Sequence, residues 1–137
     1  MVRIHKSTYE QIYNHLKKCN ESFKPKLSSY VNLKEYSEKL YKKAILFEHF
    51  ENEKLVGLIA GYPLTESFYI TNVSTDPDFS GRGIGKTLLE ECEEFCEKSF
   101  INKIKLEVKP ENKRAIEFYI KNGFEYRKEM IYEKRLW

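Results

Sequence analysis

The chain has 137 residues, 41% of them hydrophobic, which fits one globular domain over 1–137 that can form a core without metal or disulfide support. Its 24 Lys and Arg against 21 Asp and Glu give a net charge of only +3, which argues against nucleic acid as a partner. The longest apolar stretch, Leu55 to Ala60, is too short to span a bilayer, and the first residues carry no secretory apolar run. The expectation is therefore a cytoplasmic protein with no membrane partner.

In chain order, Val2 to Lys6 is a short strand candidate. Ser7-Thr8-Tyr9-Glu10 has the form of a capping box, so a helix is expected from there to about Cys19, with Ile12, Leu16 and Cys19 on one face. Asn20 to Val31, with Pro25 and its serines, reads as loop. Asn32 is placed to cap a second helix whose apolar stripe is Leu33, Tyr36, Leu40 and Tyr41. The period then changes: Ile45 to Phe50 and Leu55 to Tyr62 are strand-like runs, joined as a hairpin through Glu51-Asn52-Glu53-Lys54. Phe68 to Ser74 is rich in aromatic and β-branched residues and reads as a strand. After the turn at Asp76-Pro77-Asp78 comes the strongest helix, Ile84 to about Phe100, with Ile84, Leu88, Leu89, Cys92, Phe95 and Cys96 on one face. Lys103 to Val108 alternates as a strand does, Asn112 to Asn122 is a helix stopped by Gly123, and Phe124 to Lys128 and Met130 to Leu136 close the chain as strands. The order β α α β β β α β α β β describes a mixed α/β or α+β sheet domain.

Two sets of residues fail as metal or redox sites. Cys19, Cys92 and Cys96 contain no CxxC pair, and His5, His15 and His49 have no HExxH spacing, so no metal is expected. The glycine cluster Ser80-Gly81-Arg82-Gly83-Ile84-Gly85-Lys86-Thr87 is different, because it lies between a strand and a long helix. Unpaired N–H groups and the positive dipole end make such a helix start a ready anion site, to which Arg82 and Lys86 add cationic donors. It is neither of two familiar phosphate loops. A Walker A motif would need glycine where Ser80 stands, and a GxGxxG fingerprint would need it where Lys86 stands.

The stretch Val73 to Leu89, containing this cluster, resembles the acetyl-CoA-binding motif of the GNAT N-acetyltransferase superfamily. A second block agrees: Leu106-Glu107-Val108, then Asn112, Ala115, Phe118-Tyr119, Lys121 and Gly123-Phe124 resemble the family's downstream strand–helix–strand signature. The resemblance implies a mixed central sheet of about six to seven strands flanked by four helices, with two parallel strands splaying apart to form the cofactor cleft. It implies acetyl-CoA as acyl donor and direct attack on the thioester by a primary amine, without a metal.

Carried over by position, Val73, Ser74 and Thr75 receive the pantetheine arm, with Thr71 and Asn72 near the acetyl group. Gly81, Arg82, Gly83, Ile84, Gly85, Lys86 and Thr87 hold the diphosphate. Asn112 contacts the cofactor in the family; its residue type also suits a helix cap. Tyr119 takes the place of the family's general acid, although its spacing with Ala115 and Ile116 also suits packing on a helix face. Glu107 stands where the ribosomal-protein N-terminal acetyltransferases carry a base, although a strand glutamate facing solvent needs no function. Ser80 replaces the family's usual Arg or Gln, which leaves a second reading open: a silent acyl-CoA-binding domain serving as a sensor or assembly subunit.

The resemblance places the acceptor beside the loop that carries Phe23, Pro25, Leu27, Ser28, Ser29 and Tyr30. That loop is also similar to small GNAT proteins found beside bacterial surface-polysaccharide genes, which implies an amino sugar; a peptide amine or small polyamine stays open. The edge of the last strand, ending in Arg135-Leu136-Trp137, is a candidate for pairing with a second copy in a homodimer.

Overall fold

The computed structural model describes residues 5–137; most of the strand expected at Val2 to Lys6 lies outside them, and His5 and Lys6 are not in a strand. The described elements are α1 (Tyr9–Cys19), α2 (Leu33–Lys43), β1 (Ile45–Glu51), β2 (Lys54–Pro63), β3 (Phe68–Thr75), α3 (Ile84–Lys98), β4 (Lys103–Glu107), α4 (Lys113–Lys121), β5 (Glu125–Tyr126) and β6 (Ile131–Arg135). The strands form one mixed sheet in the order β1-β2-β3-β4-β6-β5. Among the described strands only β3 and β4 run parallel.

Each helix starts and stops for a legible local reason. The cap of α1 is Thr8, not Ser7: its side chain accepts from Gln11 N–H while the Gln11 side chain accepts from Thr8 N–H. The capping box therefore sits one residue later than the sequence suggested, because Ser7 is itself buried and its N–H donates to Glu48. Asn32 caps α2 by accepting from Glu35 N–H at 3.0 Å. On that helix Ser37 and Leu40 face inward, whereas Tyr41 is exposed. Between β1 and β2, Asn52 and Glu53 both have positive φ, at 49° and 64°, the two-residue turn whose twist suits a hairpin. Gly123 ends α4 at φ 94°, a left-handed stop that favours glycine.

The sheet is covered on both faces, which is why β2 is buried from Leu55 to Gly61 rather than alternating. On one face α3 and α4 enclose Phe47, Ile59, Phe68, Ile70, Leu88, Phe95 and Tyr119; on the other α1 and α2 enclose Ile12, Leu16, Leu40, Leu46, Leu58 and Ala60. Phe47, Phe68 and Phe95 meet edge to face with centroids 5.8–6.1 Å apart, the favoured arrangement of aromatic quadrupoles. Cys19, Cys92 and Cys96 are all buried, the last two within the core on the α3 side.

Two features of the sheet position the site. First, β3 and β4 pair only over Phe68–Ile70 against Ile104–Leu106, and beyond that they part. Second, Ala60 pairs with Asn72 but Gly61 with Ile70, so Thr71 is an extra residue in β3. A bulge of this kind turns the following side chains to the opposite face. Phe68 and Ile70 accordingly join the α3 side, while Ser74 bonds to α1 and Asn72 to α2. β6 lies between β4 and the two-residue β5, which pairs with Tyr132 and Glu133 only. No helix among the described residues is long and apolar enough to cross a membrane.

Candidate active site

Where β3 and β4 part, a cleft of about 950 Å3 opens, running from the start of α3 to the loop between α1 and α2. At one end lies the glycine cluster. Gly81 and Gly83 have φ of 78° and 77°, and a Cβ at either would meet nothing within 4 Å. Glycine is therefore required there by backbone conformation rather than by space. Gly83 is the N-terminal cap position of α3 and supplies no side chain. The first backward bond of the helix is Thr87 N–H to Gly83 O at 3.0 Å, so the amides of Ile84, Gly85 and Lys86 have no turn before them to bond to. Such an end suits an anion, and the cations nearby favour one: Lys86, Arg114 and Lys121 line the cleft.

The other members of the cluster have different duties. Arg82 stacks on the Phe79 ring at 4.8 Å, and neither it nor Thr87 lines the cleft. The Thr87 hydroxyl donates to Gly83 O, and that of Ser80 donates to Pro77 O. A Cβ at Gly85 would stand 3.4 Å from the Phe118 ring, an ordinary van der Waals contact, so packing against α4 does not itself demand glycine there. Asp76 anchors the loop from below. It is buried, accepts from Asp78 N–H, and pairs with Lys18 at 3.3 Å and Lys54 at 3.2 Å. Burial alone would push its carboxyl up, but the Asp78 N–H, Lys54 and Lys18 together hold it below the usual carboxylate range.

Along the middle of the cleft run Val73, Ser74 and Thr75 of β3. Opposite them Asn112 stands at the cap position of α4, yet its side chain makes no capping bond. Its place on the cleft wall is thus not explained as a helix cap. Tyr119, buried by Phe118 and Phe124 in edge-to-face contacts of 5.3 and 5.4 Å, also lines the cleft. Burial pushes its phenol above the ordinary value, so it is protonated at neutral pH.

Phe23, Leu27, Tyr30, Tyr36 and Tyr69 also line the cleft, as does the exposed Glu107 at the end of β4, whose charge adds to burial in raising the phenols of Tyr30 and Tyr69. Of the loop residues expected there, Ser28 and Ser29 are turned away: Ser28 exchanges hydrogen bonds with Asn20, and the Ser29 hydroxyl donates to Lys26 O. Sequence reasoning missed Tyr36 and Tyr69, whose place in a helix stripe and a strand concealed that both border an opening. It also missed the buried pair His15 and Asp76; polar residues inside an apolar pattern were the available signal.

The sequence profile of the Acetyltransferase (GNAT) family matches residues 9–124. The chain belongs to that family. Over 56 residues it is 46% identical to an uncharacterised N-acetyltransferase of Methanocaldococcus jannaschii, a match covering 41% of the chain and 25% of that protein. Over 78 residues it is 30% identical to the ribosomal protein bS18 alanine N-acetyltransferase of Escherichia coli K12, covering 57% and 53%. The chain thus spans between a quarter and about half the length of the curated relatives it matches.

Solved structures share the fold over nearly the whole chain. The PaiA N-acetyltransferase of Thermoplasma acidophilum, in complex with coenzyme A, superposes with a TM-score of 0.76 at 22% identity, covering 98% of this chain and 99% of that one. The Escherichia coli ribosomal-protein-S18-alanine N-acetyltransferase gives 0.77 at 18% identity, covering 97% and 90%.

Proposed function

We propose that the chain is an acetyl-CoA-dependent N-acetyltransferase acting on a primary amine. The observation that carries this reading is the join of two features in one cleft: bare amides at the start of α3 at one end, and strands β3 and β4 parting at the other. The first suits a diphosphate, and the second exposes strand backbone to an amide-bearing arm. Bound there, acetyl-CoA supplies an activated thioester. The amides at Gly83 to Lys86 and the Lys86 ammonium hold its diphosphate, Val73 to Thr75 receive the arm, and Asn112 contacts it from α4.

Glu107 is the one carboxylate among the aromatic residues at the acceptor end named above, and it takes the proton that the attacking amine must shed, directly or through water. The C–N bond forms and the C–S bond breaks, and Tyr119 gives its proton to the departing sulfur. Its raised pKa does not disqualify it, because burial raises a thiol's basicity too; Cys19, for example, is pushed up to about 12 by burial. The acceptor is an amine carried on a group that packs against Phe23, Tyr30 and Tyr69, as an amino sugar or the first residues of a peptide would. The domain over 1–137 suffices for both binding and transfer in this reading.

The test is coenzyme A release from acetyl-CoA in the presence of an amine panel, with binding followed separately by calorimetry. Turnover with at least one amine supports the proposal. Tight acetyl-CoA binding with no turnover across the panel identifies instead a silent acyl-CoA-binding domain.

A further inference from the structure

A chain of buried polar groups crosses from α1 to the acceptor end of the cleft, and the transfer chemistry above makes no use of it. His15 Nε2 lies 2.9 Å from Ser74 Oγ; the Ser74 hydroxyl donates to Asn72 Oδ1 at 2.8 Å. Asn72 Nδ2 donates to the Tyr36 hydroxyl at 3.4 Å, and Tyr36 donates to Thr71 O at 3.0 Å. His15, Ser74 and Asn72 are all buried, and Tyr36 lines the cleft. Such a set is costly inside a core unless its members satisfy one another.

With the Asn72 amide oriented as it is, Oδ1 toward Ser74, the donors and acceptors run in one direction. Ser74 has a single hydroxyl proton, committed to Asn72, so toward His15 it accepts and His15 Nε2 carries the proton. Burial pushes His15 down to about 4, so at neutral pH the ring holds one proton only. With Oδ1 of Asn72 turned to Ser74, its amide nitrogen faces Tyr36. Tyr36 therefore accepts on that side and spends its own proton on Thr71 O; the Thr71 hydroxyl lies 3.4 Å from it, and where that hydroxyl donates elsewhere Tyr36 keeps a second lone pair for a ligand. The bulge at Thr71 makes this possible, since unbroken alternation through Thr71 would put Asn72 and Ser74 on the α3 face with Phe68 and Ile70.

We propose that Tyr36 orients the acceptor by accepting a hydrogen bond from its amine, and that Asn72, Ser74 and His15 are positioning residues that fix the polarity of that hydroxyl. This rests on the acetyltransferase reading above. A neutral primary amine must aim its lone pair at the thioester carbon, so its two N–H groups need acceptors on the other side. Glu107 takes the N–H whose proton departs as the C–N bond forms and the C–S bond breaks. Tyr36 holds the other N–H, which stays on nitrogen in the amide product. No proton is transferred at Tyr36.

The experiment compares wild type, Tyr36→Phe, Ser74→Ala and Ser74→Thr, using acetyl-CoA with spermidine, glucosamine and an alanine-led pentapeptide as probe amines. Melting temperature and the Kd for coenzyme A are recorded for each. Tyr36→Phe is expected to lower kcat/KM for the amine about tenfold, equivalent to roughly 1.4 kcal/mol of transition-state stabilisation, with KM for acetyl-CoA unchanged. Ser74→Ala should lower the same ratio by about threefold through the loosened amide, and Ser74→Thr, which keeps the hydroxyl, should restore it. Amine kinetics within twofold of wild type in folded Tyr36→Phe overturn the proposal, as does a Ser74→Ala variant that loses melting temperature alone. A wild type that binds coenzyme A and acetylates none of the probes overturns the acetyltransferase reading and this proposal with it.

Discussion

Replacing Gly83 by glutamate separates the loop's part in binding from its part in folding. Position 83 has φ 77° and open space where a Cβ would go, so any side chain fits and only the left-handed backbone resists, at about 1–2 kcal/mol. A carboxylate at the cap of α3 meets the positive end of the helix dipole, which returns about 0.3–1 kcal/mol. Net destabilisation of Gly83→Glu should therefore be about 1 kcal/mol, no worse than that of Gly83→Ala. Binding responds differently. A unit charge about 4 Å from each like charge costs about 4 kcal/mol at an effective dielectric of 20, and a diphosphate brings more than one such charge. Even with most of that lost to solvent screening, the Kd for coenzyme A should rise at least about 100-fold, equivalent to roughly 2.7 kcal/mol. Calorimetric titration with coenzyme A and a thermal melt on wild type, Gly83→Ala and Gly83→Glu provide the assay. Glutamate and alanine variants with the same Kd would refute phosphate binding at this loop.

Tyr119→Phe should cut turnover by about 100-fold while leaving the Kd for coenzyme A within a factor of about two, since the hydroxyl alone is removed; single-turnover acetyl transfer measures it. Gly57→Ala should destabilise the fold by about 1–3 kcal/mol, because the added Cβ would meet Ile84 Cγ2 at the start of α3; chemical denaturation checks this. His15 also imposes a pH dependence. Burial pushes it from the ordinary 6.5 down to about 4, so its neutral burial is fully tolerated above pH 6.5 and stability falls as pH drops toward 4. The full loss is about 3 kcal/mol. Urea unfolding of wild type and His15→Gln between pH 7 and 4.5 should show the steeper decline in wild type, and parallel curves would contradict it.

Local signals in the sequence were enough for the helices, the hairpin at Asn52-Glu53 and the glycine loop, because caps, turn residues and periodicity act over a few positions. Even there the cap of α1 fell on Thr8 rather than Ser7, since tertiary contact with Glu48 claimed the earlier residue. The face of β3 was not legible. Burial alternates without a break from Phe68 to Thr75, because both sides of the sheet are covered, and the pattern hides the bulge that switches faces at Thr71. The role of Gly57 was hidden too, since it depends on how closely α3 crosses β2. Tyr36 looked like one member of an apolar stripe, and only the parting of β3 from β4 shows that it borders a cleft.

The most direct measurement is the change in backbone amide chemical shifts when coenzyme A is added to the 15N-labelled protein. The account predicts that the largest downfield shifts of the amide protons fall on Gly83 to Lys86, with smaller changes at Val73 and Thr75. Saturable binding that leaves the amides at the start of α3 unmoved, or no binding at millimolar coenzyme A, would contradict it.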